Sequence, residues 1–86
     1  GNHAKVVSQV PLRLTPNMKD INLPIPDIML LKRKRYRGHP LPEDVYLIIE
    51  VSDSTLADDL GDKLRDYANA GIPEYWVYDV KAKVFK

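Results

Sequence analysis

Three residues carry chemistry by type and position: Asp27, which opens the apolar run PIPDIMLL; Glu50, near the end of VYLIIEVS; and Lys63, on the amphipathic stretch that follows. A carboxylate inside an apolar strand is costly unless a cation or a hydrogen-bond donor meets it. Two carboxylates brought to one place repel each other and hold a proton or a metal ion between them, and neutral pH favours the metal. A hard cation held by two acids, with a lysine beside it, suits phosphodiester hydrolysis. Each residue also has a plainer reading. Asp27 after a proline is a strand-entry or turn residue, Glu50 pairs with Lys63 as a purely structural ion pair, and Lys63 is a surface lysine.

The elements that must position them follow from periodicity. In VYLIIEVS, Val45, Leu47, Ile49 and Val51 point to one face and Tyr46, Ile48, Glu50 and Ser52 to the other. Both faces are apolar until Glu50, which predicts a strand covered on both sides with an acid admitted near its C-terminal end. In PDIMLL the acid leads instead. Antiparallel pairing of the two runs through KRKRYRGHPLPED therefore sets Asp27 opposite Glu50, about 5 Å away. In STLADDLGDKLRDYANAG, Leu56, Leu60 and Leu64 define the packing face of a helix. Lys63 and Tyr67 lie at its flank with Asp59 one turn before Lys63, while Asp58, Asp62, Arg65, Asp66 and Asn69 read as solvated surface. Thr55 is the expected N-cap, and Gly71 with Pro73 the expected stop.

Around these runs the chain reads strand, strand, strand, helix, strand. AKVVSQVPLRL forms the first strand, ended by the Thr15-Pro16-Asn17 turn, and EYWVYDV the last, with KAKVFK beginning one more. Tyr67 and Trp76 read as core. The fold class is α/β (α+β) with a mixed sheet. Ser52 and Asp53 shape the turn into the helix or touch a metal-bound water.

Composition limits the remaining choices. The chain has 86 residues and a formal charge of +1, so nucleic-acid affinity must come from local clustering. Lys32, Arg33, Lys34, Arg35 and Arg37, with Tyr36 among them to stack on a base, form either a solvated loop or a phosphate-contacting surface. With no cysteine, disulfides and zinc-thiolate sites are excluded. His3 and His39 lack ligand spacing. No run approaches the ~18 apolar residues of a membrane span, and the chain reads as soluble and cytoplasmic.

The pieces EVSDST, the D-x-x-x-K-x-x-x-Y spacing of Asp59, Lys63 and Tyr67, and GIPEYWVYD, with PIPDIMLL and QVPLRL upstream, resemble the Uma-two family of the restriction-endonuclease-like PD-(D/E)XK superfamily. The resemblance covers roughly residues 6–86. It implies a restriction-endonuclease-like core and an endonuclease that cleaves DNA with Mg²⁺ or Mn²⁺. It places metal ligands on Asp27 and Glu50; the mechanism expected from them adds the backbone carbonyl of Val51 as a ligand, with Ser52, Asp59 and Tyr67 in support. The superfamily's lysine usually stands two residues after the Glu, where this chain has Ser52; the resemblance moves that role to Lys63. The alternative is a nuclease-like domain without catalysis that binds nucleic acid or protein. Family members have a longer domain with an upstream helical part, so the chain reads as a C-terminal fragment or shortened member. Residues 1–5 read as a tag remnant and disordered start, and 6–86 as a single partial domain. With those upstream elements missing, Val7, Val10, Ile28 and Leu30 are expected to meet water. A homo-oligomer, as a dimer, is expected to bury them through AKVVSQVPLRL or the terminal VFK.

Overall fold

The computed structural model describes residues 4–15, 23–53 and 57–85, the side chains of residues 57–60 excepted. Three antiparallel strands come first: β1 (Ala4–Ser8), β2 (Ile28–Lys32) and β3 (Val45–Ser52), the last entered through a short 3-10 turn at Pro42–Asp44. Helix α1 (Ala57–Asn69) then carries the chain over the sheet, so that β4 (Tyr75–Asp79) lies parallel to β3. Such a crossover is what a parallel neighbour requires. A hairpin adds β5 (Val84–Phe85), and the sheet order is β1-β2-β3-β4-β5. The expected strand, strand, strand, helix, strand sequence is present, and the terminal VF does start a further strand.

β1 is shorter than AKVVSQVPLRL suggests. It begins at Ala4, whose neighbour Lys5 pairs with Leu31, and ends at Ser8 because Gln9 takes φ 57°. A left-handed residue other than glycine costs roughly 1–2 kcal/mol. It turns the chain out of the ladder, so that Leu12 is fully buried and Val10 and Leu14 pack against the core. The alternation in this stretch is real, but past Ser8 it serves the core and not the sheet.

One face of the sheet is covered. Leu12, Met29, Leu31, Val45, Ile48, Tyr67 and Ile72 form the core between sheet and helix. Of the leucine stripe, Leu64 packs against this core; Leu56 and the side chain of Leu60 lie outside the described residues, as do Thr55 and the side chains of Asp58 and Asp59. The helix stops as expected. Gly71 (φ 86°) donates to the Ala68 carbonyl, and Ile72 N–H reaches back to Tyr67 O at 3.0 Å. This pairing of bonds is a Schellman stop, and it brings Ile72 into the same core as Tyr67.

The other face is not covered by any element among the described residues. Val6 is 70% exposed, Phe85 56%, Val51 48% and Trp76 41%, while Ile28, Leu30, Leu47 and Ile49 are half-buried by their neighbours. Two expectations change as a result. Among the described residues β3 is covered on one face only, since α1 cannot cover both. Trp76 is not core, because Tyr75, Val77 and Asp79 take the helix side of β4 and alternation sends Trp76 outward. Val7 and Val10, expected in water, pack against the core instead. No described helix is long and apolar enough to cross a membrane.

Ile48, fully buried at the centre of β3, should be the most sensitive core position. Ile48→Ala is expected to cost about 2–5 kcal/mol in urea denaturation. Val6→Thr on the open face should change the stability of the monomer by no more than about 0.5 kcal/mol.

Candidate active site

The acid pair is built by register. Ile28 pairs with Ile49, so the next step along both strands sets Asp27 beside Glu50. Asp27 N–H donates to Glu50 Oε1 at 3.0 Å, and Val51 N–H donates to Asp27 Oδ2 at 2.8 Å. The two acids expected to meet are thus joined, Glu50 accepting from the Asp27 backbone and Asp27 from the backbone N–H of Val51, the residue after Glu50. In an extended strand the N–H and C=O of one residue project to the same side, so the Val51 carbonyl lies on the β2 side of β3.

Helix α1 supplies the cation. Lys63 and Tyr67 stand four residues apart and share one stripe of the helix. Both converge on Glu50 Oε2, the ammonium at 3.2 Å and the phenol hydroxyl at 3.0 Å. Glu50 is 1% exposed, whereas the Lys63 side chain is 46% exposed: a buried carboxylate is met by a lysine whose stem reaches in from solvent. Burial, then the charge of Glu50 and the hydrogen bond to it, push the Tyr67 phenol far above its ordinary value. Tyr67 is therefore a proton donor to Glu50 throughout the physiological range.

Ser52 is buried on the same face, and its carbonyl accepts from Val80 N–H; Asp53 is exposed. The side chain of Asp59 lies outside the described residues. Asp79, also buried, accepts Ala82 N–H on Oδ1 at 3.1 Å in the β4–β5 turn. Among the described residues no group of three or more His, Cys, Asp or Glu could hold a metal ion.

Residue Gln9 was not singled out from sequence. Its Nε2 donates to Asp27 Oδ1 at 3.1 Å, and its N–H to the Asp27 carbonyl. A glutamine eighteen positions upstream of Asp27 carries no local signal; only the β1–β2 pairing brings the two together.

The basic run is not brought to the acids. Lys32 ends β2 and Asp27 precedes its start, a separation of roughly 17 Å at ~3.4 Å per residue. Arg33, Lys34, Arg35 and Arg37 are exposed at that far end. Lys34 is paired with Asp44 at 2.6 Å. Burial works to raise the Asp44 carboxyl, yet the Lys34 ammonium and the Leu41 N–H outweigh it and hold it below the usual carboxylate range. Tyr36 packs against the core, donates to the Lys32 carbonyl, and has the ammoniums of Lys5 and Lys34 within 4.9 and 5.1 Å of its ring. It is not a free stacking platform.

Tyr67→Phe keeps the ring packing and removes one donor to a buried charge. It should lower stability by about 1.5–3 kcal/mol in urea denaturation. An unchanged midpoint would show that the hydroxyl does not support Glu50.

Residues 2–85 match the family model Uma2, described as "Putative restriction endonuclease". No curated protein and no solved structure matches the chain. The family is nuclease-like, and a mixed sheet with one helix agrees with a restriction-endonuclease-like fold. Because the match runs through every element from β1 to β5, including both acid-bearing strands, this chain belongs to the Uma2 (Uma-two) family that its motifs resemble.

Proposed function

We propose that this protein is a metal-dependent endonuclease that hydrolyses phosphodiester bonds in DNA. The observation that carries the reading is the joining of Asp27 to Glu50, with the Lys63 ammonium on the same carboxylate. The donor set suits Mg²⁺ or Mn²⁺. Such a cation takes one or two carboxylates and keeps several waters, and so needs no all-protein cage. Each Asp27 oxygen carries one hydrogen bond and retains a lone pair for a ligand bond. Asp27, Glu50 and the Val51 carbonyl would hold the ion. When bound, it supplies an acidified water and neutralises phosphate charge.

The chain's own residues do the rest. Tyr67 fixes the Glu50 carboxylate, and Asp27 is fixed by Val51 N–H and Gln9. Lys63, half in solvent, swings between Glu50 and the phosphate, where it offsets charge developing in the transition state and orients the attacking water. The basic run is too far away to touch the scissile phosphate. A duplex lying along β2 would instead meet Lys32 and Arg33 about five base pairs away, at ~3.4 Å per step.

In the test, wild-type protein nicks supercoiled DNA with Mg²⁺ or Mn²⁺ and stops when the metal is chelated. Asp27→Asn, Glu50→Gln and Lys63→Ala should each lower the rate at least ~100-fold, since a metal-held site contributes several kcal/mol. Equal cleavage by wild type and Glu50→Gln refutes the assignment. The second reading, a nuclease-like module without catalysis, is favoured by the placement of the basic run away from the acids. It predicts DNA binding that survives Glu50→Gln and no cleavage with any metal.

We also propose that two copies pair through the open sheet face as a homodimer. The molecule measures 37 by 32 by 19 Å, so its broad face exceeds the ~800 Å² that each partner of a stable complex gives up. Val6, Val51, Trp76 and Phe85 are its exposed apolar side chains. Sedimentation should show a dimer at micromolar concentration, weakened by Trp76→Glu. A wild-type monomer would refute the pairing.

A further inference from the structure

We propose that Gln9 is the positioning residue of the metal site, holding the Asp27 carboxylate in the orientation a divalent cation needs. The inference rests on the metal-dependent reading above and adds a residue to it. Gln9 grips Asp27 twice, through its backbone N–H to the Asp27 carbonyl at 3.2 Å and through its side-chain amide to Oδ1 at 3.1 Å. The remaining oxygen, Oδ2, accepts Val51 N–H at 2.8 Å, and Asp27 N–H donates to Glu50 Oε1. One donor on each oxygen fixes the plane of the carboxylate; with the Val51 bond alone it would be free to swing about that single contact.

The backbone of Gln9 makes the case independently. Its φ of 57° lies where glycine and asparagine are the favoured residues. The turn out of β1 asks only for a residue that tolerates this conformation, and glutamine is a poor choice for that purpose. What glutamine adds is a side chain long enough to reach Oδ1. An unfavourable backbone kept at a functional site is the pattern expected where orientation matters more than local stability.

The chemistry of the donor points the same way. A lysine or arginine at this place would orient Asp27 equally well, but its charge would compete with the cation. A carboxamide orients the carboxylate and leaves its negative charge intact. Neutral partners of this kind tune metal ligands from the next layer of contacts, and losing one typically weakens binding 10–100-fold.

The experiment is calorimetric titration of the full chain with Mn²⁺, alongside thermal unfolding. Gln9→Gly removes the amide and relaxes the backbone; Gln9→Met keeps the length and shape and removes only the donor. Both are expected to bind Mn²⁺ roughly tenfold or more weakly than wild type. Gln9→Gly should unfold at an equal or higher temperature. That split between affinity and stability is one a merely structural role would not produce. Wild-type affinity in either variant overturns the role of Gln9 while leaving the metal site standing. No Mn²⁺ binding by wild type, with Asp27→Asn as the reference, overturns both.

Discussion

The buried charge of Glu50 is the constraint around which the rest of the molecule is arranged. A carboxylate at 1% exposure in a sheet of Ile, Val and Leu would cost several kcal/mol if left without partners. Three donors meet it: the Asp27 backbone N–H from the entry to β2, and the Tyr67 hydroxyl and Lys63 ammonium from α1. Each partner ties an element to Glu50. The Asp27 bond requires the β2–β3 register as it stands, since a one-residue slip would carry Asp27 to the opposite face. The other two set the rotation of α1 about its axis, because the hydroxyl and the ammonium must arrive on one oxygen together.

The helix end supports the same arrangement from outside the site. Gly71 in a left-handed conformation lets Ile72 N–H reach the Tyr67 carbonyl, which locks the turn that bears Tyr67 and buries Ile72 beside it. A packing residue and a site residue are here the same side chain. The Tyr67 ring is fully buried in the core while its hydroxyl serves Glu50. Stability and site geometry are therefore coupled, and neither can be altered at Tyr67 without the other.

The acid pair and the basic run lie at opposite ends of β2. The acids stand at the C-terminal end of β3, and the basic run follows β2 at the opposite end, partly neutralised where Lys34 meets the buried Asp44. Apolar surface is sorted across the sheet, with a filled core on the helix side and Val6, Val51, Trp76 and Phe85 on the side that no described element covers. A molecule 19 Å thin has only two layers, and two layers leave one sheet face for something else to cover.

Much of this was legible in the chain. The alternation of VYLIIEVS from Leu47 to Ser52, the four-residue spacing of Lys63 and Tyr67, and the Gly71 stop are local patterns that local sterics and burial decide. A register shift against β2, by contrast, breaks the expected alternation at Tyr46 and turns Val45 into the core with Ile48. The meeting of Asp27 and Glu50 was also readable, because a sheet has a period of two and an antiparallel pair admits one sensible register. What sequence could not settle was non-local. Whether Trp76 is buried depends on what lies over its face, not on its own strand. The basic run looks like part of the site on the page, yet β2 carries it to the far end of the sheet. Gln9 has no motif to announce it; its left-handed backbone and its reach to Asp27 exist only once β1 is paired with β2. Periodicity thus determined the elements and the acid pair, and tertiary pairing decided which other side chains surround it, since contacts between strands depend on register and burial that no short stretch of sequence contains.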